Sequence, residues 1–589
     1  MSGDAWVDLH RDDVGDVLTR YVDALYTRYH EPRINRFEIY AAIYSESIQA
    51  NLTPSRTRQL TSTPTRAAAL TWNVTRSVAD TGISKIIQSR PRPSYLTDGG
   101  NFEQQGQAEE LQKLTDGVFA EQRVYQTAVQ WVTDAIVFGT GFMKTMEVAG
   151  RPVIERIVPS EILVDDLMCQ FSAPREMFQR KEIPRASLAA LFPKFKATIL
   201  KDAPAVEMKG EGFVSDMVET TEAWHLPDSV DSPGRHVLVV KGVAKALVDE
   251  EWNSPRFPFA VLRWRRPLTG YYGIGVAEGL LGIQFELNKF LIQVSRALTN
   301  FGVAKMLIPN GARIDPNMIT NTVDGQIIPY DGMQAPTMFA NQILSPEVTQ
   351  YLMMQYSKAF EIEGISPGAA FAVREQGIPS AKGQREISER QGDRLSVVSQ
   401  DYEQGFLDTA QNVIDVCRKI RKRGGELVVQ TADDGNLHRV EVDEALALQP
   451  SDYTLGMFAG NLLSKTPAGK FEDAQTLLNS KAITVDEFRG LMDMPDIKSV
   501  LKRTVDAEKL YRKQIQNALR KGVPPPQPEQ YWPSLDKGLR LYQEAIFEAQ
   551  SNQLPEDRVG LLRAWVDSVA ELVEQAAPPP PPAEAMPPV

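Results

Sequence analysis

The sequence has only two cysteines, Cys169 and Cys417, which stand far apart in its 589 residues. This spacing argues against a disulfide framework and favours a reducing compartment. No apolar run reaches about eighteen residues, so we expect neither a membrane-spanning helix nor a membrane partner. Residues 1–16 are acidic and lack the basic and then apolar order of a secretory signal. The sequence therefore predicts a protein made in a cytoplasm.

Motifs that would bind a nucleotide or build a hydrolase site are incomplete. A phosphate-binding loop requires glycine before its lysine, but Ser464 precedes Lys465. Glu278 stands where a dinucleotide fingerprint beginning at Gly273 needs its third glycine. Residues 364–368 spell G-x-S-x-G, but Pro367 has no N–H to donate to an oxyanion. We expect no catalytic residue, no cofactor and no enzyme activity.

Metal-binding patterns are also missing from the sequence. None of the five histidines lies within four residues of another or beside a cysteine pair. Adjacent acidic residues do occur at Glu109–Glu110, Asp165–Asp166 and Asp433–Asp434. Such pairs are more typical of solvated loops and helix faces than of cation sites. The sequence therefore predicts no metal site.

The chain lacks a positive charge balance, since its formal net charge is −12. A protein that holds DNA tightly usually presents a strongly basic surface. A pore through which DNA slides benefits from weak attraction, because every neutralised phosphate adds affinity. Solubility alone is an equally good explanation of an acidic composition. The charge permits a DNA channel without requiring one.

Length and composition point to a globular protein of two or more domains with a mostly α, α+β fold. A chain of 589 residues is too long for a single core, and its 42% apolar content is ordinary. Helical spacing predicts helical structure over residues 14–52 and a further helix over residues 102–138, with Gly139 ending that helix before a strand. A hairpin is expected from strands 426–429 and 438–442.

The most informative stretch is residues 271–298, where an aromatic and glycine-rich start opens into a long helix. Gly273 and Gly275 precede the helix, and glycine adopts backbone conformations that other residues avoid. We therefore interpret these two glycines as a hinge. One face of the helix is apolar, with residues recurring at steps of three and four: Leu280, Ile283, Leu287, Leu291, Val294 and Leu298.

The order of elements after this helix is distinctive. Residues 306–342 alternate short apolar pieces with turn residues, which favours a small β subdomain. A second helix is predicted over residues 346–362, and a glycine-rich loop follows it. A longer helix is expected from about residue 384 to Arg423, where Gly424 and Gly425 form its cap.

This order, together with Trp264–Pro267 and the Gln284 and Asn288 pair, resembles the portal proteins of tailed bacteriophages, the head-to-tail connectors. The resemblance implies a ring of about twelve subunits at the capsid portal vertex of the virion. It implies double-stranded DNA, the terminase large subunit, the major capsid and scaffolding proteins and a tail adaptor as partners. It also implies that the portal is assembled in the host cytoplasm.

The resemblance also divides the chain into the parts of a portal subunit. These parts are an α+β wing at 1–267, a helical stem at 268–305, a small β-containing clip at 306–345, a second stem helix at 346–363, a tunnel loop at 364–383, a long helix returning to the wing at 384–526, a helical C-terminal crown at 527–575 and a proline-rich tail at 576–589. We expect the tail to be disordered, and a polyproline ligand is the alternative.

The tunnel loop carries the candidate site residues. Phe371 is a candidate contact to the duplex surface, and Arg374 and Lys382 are candidate contacts to phosphates. An ordinary surface loop is an equally good interpretation of each. Flexibility of the loop is assigned to its glycines, Gly364, Gly368, Gly377 and Gly383.

A second basic segment, Arg418–Arg423, also has two interpretations. Positive charge at a helix C-terminus is favoured by the helix dipole, and this capping role suffices to explain it. A DNA contact is the alternative.

Two other classes of function remain open. One is a different virion structural protein, such as a capsid or tail-adaptor component, which would lack the helix, β unit, helix and loop order. The other is a nucleic-acid enzyme with diverged motifs.

Overall fold

The computed structural model describes residues 6–45, 72–97, 102–170, 173–205, 216–228, 232–301, 305–307, 337–339, 346–365, 395–433, 436–457, 475, 477–480, 510–519, 522–529, 532, 535–551 and 554–576. The fold is mostly α, of the α+β class with small sheets, which confirms the predicted class. The chain divides into two compact units. The first comprises residues 1–88, 125–144 and 154–405, and the second comprises 89–124, 145–153 and 406–589.

The first unit begins with helix α1 (Val14–Leu25), a π-helical turn (Tyr26–His30) and helix α2 (Glu31–Tyr44). The predicted helical structure is confirmed over residues 14–44, and a π turn that the spacing did not predict lies within it. Residues 46–52 lie outside the described part of the chain. The apolar face of α1 is buried as predicted, with Leu18 and Val22 inside the core.

Eight strands follow in the chain: β2 (Thr140–Val148), β3 (Arg151–Ile157), β4 (Ile162–Leu163), β5 (Glu176–Pro184), β6 (Met217–His225), β7 (Gly234–Val240), β8 (Val248–Trp252) and β9 (Phe259–Arg263). Strands β4 to β8 form an antiparallel five-stranded sheet in the order β4-β5-β6-β7-β8. In a smaller sheet, β9 pairs antiparallel with β2. Two short helices, α6 (Arg185–Leu191) and α7 (Lys196–Asp202), follow β5.

The helices of the first unit are arranged around α8. Helix α8 (Val276–Phe301) packs on α2, on α3 (Val74–Ile87) and on α9 (Pro346–Glu363). The Gln284 side chain is buried and holds α8 to the start of α3. Its amide nitrogen donates to Trp72 O at 2.8 Å and to Asn288 Oδ1 at 3.1 Å, and its oxygen accepts from Thr75 N at 3.2 Å.

Helices α8 and α9 run antiparallel. A Cβ at Gly279, in the first turn of α8, would lie 3.0 Å from Oε1 of Glu363, the last residue of α9. The start of α8 therefore lies beside the end of α9. Further along, the rings of Phe290 and Tyr351 lie 5.1 Å apart. Beyond the other end of the pair, strands β10 (Lys305–Leu307) and β11 (Thr337–Phe339) pair antiparallel. The described residues show the predicted order of helix, strands and helix, whereas residues 308–336, which hold most of the predicted β subdomain, lie outside the described part.

The second unit contains β1 (Pro93–Leu96), α4 (Phe102–Glu121) and most of the long helix α10 (Ser396–Lys422). The helix predicted over 102–138 is wrong as a single element. It ends at Glu121, Arg123 has a φ of 50°, and α5 (Val124–Phe138) follows. Gly139 ends α5 with a φ of 92°, as predicted.

The predicted hairpin is present, but both of its strands lie away from the predicted ranges. Strand β12 covers Gln430–Asp433 and β13 covers Asn436–Arg439, and Asp433 pairs with Asn436. The predicted strands at 426–429 and 438–442 are therefore corrected to 430–433 and 436–439. The short helix α11 (Val442–Ala447) and strand β14 (Thr454–Met457) follow, and β14 pairs with β1.

Two helices lie in the C-terminal segment for which helical structure is predicted. Helices α12 (Leu535–Ser551) and α13 (Glu556–Ala576) enclose a core with residues 510–519. The rings of Tyr542 and Trp565 stack there at 3.7 Å. The tail at 577–589 lies outside the described residues. Within the described ranges, no helix is both long and apolar enough to cross a membrane.

A buried ionic cluster fixes the edge of the five-stranded sheet. His236 Nδ1 lies 2.9 Å from Glu250 Oε1, and its Nε2 lies 2.8 Å from Glu222 Oε1. Lys144 Nζ donates to Glu222 Oε2 at 2.6 Å. Both ring nitrogens face carboxylates, and a neutral imidazole can donate only one hydrogen bond. Burial lowers the pKa of His236, but the two glutamates outweigh it and raise the pKa above its ordinary value.

We predict a pH-dependent effect of His236→Gln. Because the folded-state pKa of His236 is raised, its stabilisation is complete below about pH 6.5 and is lost as the pH rises through the folded pKa. The variant should lower the free energy of unfolding by about 1–3 kcal/mol at pH 6. That difference should shrink toward pH 9 in denaturant unfolding followed by tryptophan fluorescence. The exposed His10→Gln variant is the control, and a difference that does not change with pH would contradict the prediction.

Candidate functional site

The stretch Arg263–Arg266, called the arginine hub below, ends β9 and precedes α8. Each of its three arginines holds a different part of the first unit. Arg263 Nε donates to Tyr271 O at 2.8 Å, and its guanidinium lies 4.5 Å from the centre of the Tyr271 ring. Arg265 and Arg266 bind carboxylates on two different helices. The hub is therefore a junction between the sheet, the start of α8 and the helices that follow.

Arg265 holds the end of α9. Its Nη2 donates to Glu363 Oε2 at 2.6 Å, and the Glu363 side chain is only 1% exposed. Burial raises the pKa of Glu363 above its usual range, and the Arg265 charge opposes this rise. Glu363 Oε1 faces Gly279 of α8. Losing Arg265 would leave a buried carboxylate without its counter-charge.

Arg266 holds the start of the long helix α10. Its Nε and Nη2 donate to the two oxygens of Asp401 at 3.1 and 2.5 Å, which is the bidentate geometry of a strong Arg–carboxylate pair. The guanidinium is largely exposed, whereas the Asp401 side chain is mostly buried. Solvent screening therefore reduces the strength of this pair more than that of Arg265 and Glu363.

A cavity of 270 Å³ lies between these elements. It is lined by Arg263, Trp264, Arg265, Arg266, Glu363, Leu395, Val397, Val398 and Asp401. Glu363 is the last residue of α9, and Leu395 directly precedes α10. The end of α9 and the start of α10 therefore meet at one cavity.

Gly364 caps α9. It has a φ of 70°, its N–H donates to Glu361 O at 3.1 Å, and the Ile365 N–H donates to Phe360 O at 3.0 Å. This is a Schellman cap, which favours glycine because of the positive φ. The other predicted loop residues, Phe371, Arg374, Lys382, Gly368, Gly377 and Gly383, lie outside the described residues. Their contacts and flexibility stay predictions.

The segment Tyr271–Gly275, called the approach segment below, is held along its backbone. The Tyr271 N–H donates to Asp166 Oδ1 at 3.2 Å, the Gly273 N–H donates to Thr140 Oγ1 at 2.7 Å, and the Ile274 N–H donates to Arg265 O at 3.0 Å. Tyr272 OH donates to Ile162 O at 2.6 Å. These bonds join the start of α8 to three separate strands and loops.

Residues of the π turn and α2 surround Tyr272. The Arg33 guanidinium lies 3.8 Å from the centre of the Tyr272 ring and pairs with Asp166, and His30 Nε2 lies 3.0 Å from Tyr272 OH. Burial lowers the pKa of His30 to about 3, so this imidazole is neutral near pH 7. A neutral His30 can donate from Nε2 to the tyrosine. The sequence analysis missed these residues because they lie more than 100 positions from the approach segment.

Gly273 and Gly275 pack tightly against Gly139. A Cβ on Gly273 would lie 2.3 Å from Gly139 O, and one on Gly275 would lie 2.6 Å from Val137 O. A Cβ on Gly139 would lie 2.2 Å from Gly273 O. The absence of a side chain is thus required by close backbone approach. The predicted hinge motion of Gly273 and Gly275 stays a prediction.

The basic segment Arg418–Arg423 at the end of α10 confirms the predicted cap. Gly424 has a φ of 79°, and the Gly425 N–H donates to Ile420 O at 3.0 Å. Arg418 donates to Leu448 O at 2.6 Å, Arg421 pairs with Asp443, and Arg423 donates to Glu147 at 3.1 Å. Three of its arginines are therefore engaged within the second unit.

The chemistry of the hub is that of ion pairs, caps and backbone hydrogen bonds. Across the described ranges, no cluster of three or more histidine, cysteine, aspartate or glutamate side chains is placed to hold a metal ion. No protein-family model matches the chain, and no curated protein matches it either. The function must therefore be inferred from the geometry of the chain itself.

Two glycine variants separate backbone strain from close packing. Gly139 and Gly270 have similar φ values of 92° and 88°, but a Cβ at Gly270 would meet only ordinary contacts at 3.5 Å or more. Gly270→Ala should lower the free energy of unfolding by about 1–2 kcal/mol through strain. Gly139→Ala should lose about 1–3 kcal/mol more, because the approach segment must move. Equal losses in denaturant unfolding would contradict the packing role.

Proposed function

We propose that the protein is a tailed-bacteriophage portal, which forms a ring-shaped channel at one vertex of the capsid. About twelve copies would close the ring through one repeated head-to-tail contact. Double-stranded DNA would pass through the channel when the terminase large subunit packages it and again when the genome leaves. The ring would also contact the major capsid and scaffolding proteins and dock a tail adaptor.

The observation that carries this proposal is the antiparallel pair α8 and α9 with its two attached segments. Helix α8 has 26 residues and is about 39 Å long. At one end of the pair lie the paired strands β10 and β11, and at the other end lies the hub. The order of a long helix, a β unit and a second, antiparallel helix resembles that of a portal stem and clip.

Exposed apolar side chains of α9 support assembly into a ring. Met353 and Met354 are 52% and 57% exposed, and Tyr351 and Ile362 are also exposed. Leu352, Ala359 and Phe360 are buried. Four large apolar side chains exposed on one helix are typical of a surface that another protein covers. In a ring, the neighbouring copy would cover it.

The distribution of charge is compatible with the passage of DNA. The chain carries a net charge of −12, and the arginines of the hub are paired with carboxylates or a backbone carbonyl of the same chain. Few free cations near the channel would keep the affinity for phosphates low, so that the duplex could slide. Phe371, Arg374 and Lys382 are the proposed contacts in this scheme.

Electron microscopy of the purified protein, with native mass spectrometry, tests the proposal. We expect rotationally symmetric rings with an open axial channel and a mass near about twelve copies of the 65.7 kDa chain. Protein that stays monomeric, or forms particles without a channel, at several salt and protein concentrations would contradict self-assembly into a portal. Metal- and ATP-dependent turnover would then be measured to test the nucleic-acid enzyme alternative.

A double variant, Met353→Glu with Met354→Glu, tests the role of the α9 face. Two added carboxylates should be repelled from an apolar interface, so the fraction of protein in rings should fall at least about tenfold. Leu191→Glu is the control, because Leu191 is a 64% exposed leucine on α6 of the same unit. Native mass spectrometry at matched concentration gives the measurement. Rings that form equally well in both proteins would exclude this face as the contact.

A further inference from the structure

We infer that the arginine hub couples two helix ends, the C-terminal end of α9 and the start of α10, to the start of α8, with Arg265 and Arg266 as positioning residues. A displacement at the end of α9 or the start of α10 would then be felt at the approach segment. The importance of this coupling for DNA passage rests on the proposed function. Its physical content rests on described residues of the first unit alone.

The first step is that one short stretch holds both ends. Arg265 binds Glu363, which directly precedes the Gly364 cap, and Arg266 binds Asp401 in the second turn of α10. The two arginines are neighbours in sequence, so their Cα atoms are about 3.8 Å apart. The end of α9 and the start of α10 are therefore held by adjacent residues. A shift of either helix end pulls on the backbone of Arg265 and Arg266.

The second step is that the backbone of the hub is bonded to the approach segment. The Ile274 N–H donates to Arg265 O, and Arg263 Nε donates to Tyr271 O. The Trp264 N–H donates to Gly139 O at 3.0 Å, next to the tight crossing of Gly139 and Gly273. A movement of Arg265 must therefore either stretch these bonds or move the approach segment with it.

The third step concerns why the ends do not simply detach. Glu363 is buried, so separation from Arg265 would leave its carboxylate without a counter-charge and without water. Asp401 is mostly buried and is held by two hydrogen bonds from a planar guanidinium. Each pair thus favours moving together over opening. Contiguous ion pairs and hydrogen bonds of this kind are a physical route for coupling between sites.

Hydrogen exchange measured by mass spectrometry on the full chain tests the inference. Asp401→Asn weakens the pair with Arg266 without touching α9 or the approach segment. We expect exchange to become roughly threefold to tenfold faster at residues 271–275 and at 364–365, which Asp401 does not contact. Asp443→Asn is the control, because Asp443 pairs with Arg421 at the opposite end of the same helix. It should leave exchange at residues 271–275 unchanged.

A charge reversal adds a rescue that a merely local effect would not produce. Arg266→Asp alone should accelerate exchange at residues 364–365, and its combination with Asp401→Arg should restore the original rate. Glu363→Gln, which keeps the shape of the side chain, should accelerate exchange at residues 396–399 and serves if the other variants unfold. Glu361→Gln on the same helix is its control, since Glu361 pairs with Lys358 in an exposed position.

The inference would be overturned if exchange in Asp401→Asn changed only within the first turns of α10, or if the charge reversal restored nothing. These outcomes are independent of ring formation. If the coupling is found but no rings form, the proposed portal function is refuted and the inferred coupling stands. If rings form but no coupling is found, the inferred coupling is refuted and the portal proposal stands.

Discussion

The backbone crossing of Gly139 and Gly273 is the constraint on which the first unit depends. A Cβ on either residue would lie within 2.3 Å of the other residue's carbonyl oxygen, so only glycine permits this approach. The crossing brings the end of α5, the start of β2 and the approach to α8 to one point. Trp264 bonds to Gly139 O at the same place, so the arginine hub is positioned by this contact as well. The direction in which α8 leaves the sheet follows from two residues without side chains.

Ion pairs around this crossing determine which elements meet, more than they determine total stability. Exposed pairs contribute little, and buried pairs largely offset their own desolvation. Breaking a buried pair is nevertheless unfavourable, because one charge stays behind. Glu363 with Arg265 and Glu222 with His236 are both of this kind, and Lys144 and His236 together hold the pKa of Glu222 at about 2 against the effect of burial. Such pairs make wrong arrangements costly and thereby specify the native one.

Local patterns in the sequence predicted the elements whose cause is local. The apolar faces of α1 and α8, the glycine stop at Gly139, the cap at Gly424 and the order from α8 to α10 all follow from spacing and turn chemistry. Local spacing missed features that tertiary contacts decide, namely the break at Arg123, which divides a helix predicted as one, and the π turn before α2. The sequence predicts a hinge at Gly273 from the conformational freedom of glycine. The structure shows that this position also requires glycine because a Cβ would clash with the backbone of Gly139. Thr140, His30, Arg33 and Asp166 carry no local signal, because their roles arise only when distant segments meet.

The same reasoning explains why an acidic chain can suit a channel for DNA. The arginines of the hub and of the Arg418–Arg423 segment are engaged by carboxylates and carbonyls of the chain. A cation that already has a partner must give up that interaction before it can bind a phosphate, so its net gain from the phosphate is small. Repetition around a ring would multiply any residual attraction, so weak contacts in each subunit are what would permit movement. In the proposed portal, these arginines would hold the helix ends in place, and the geometry of the ring, rather than a grip on the backbone, would guide the DNA.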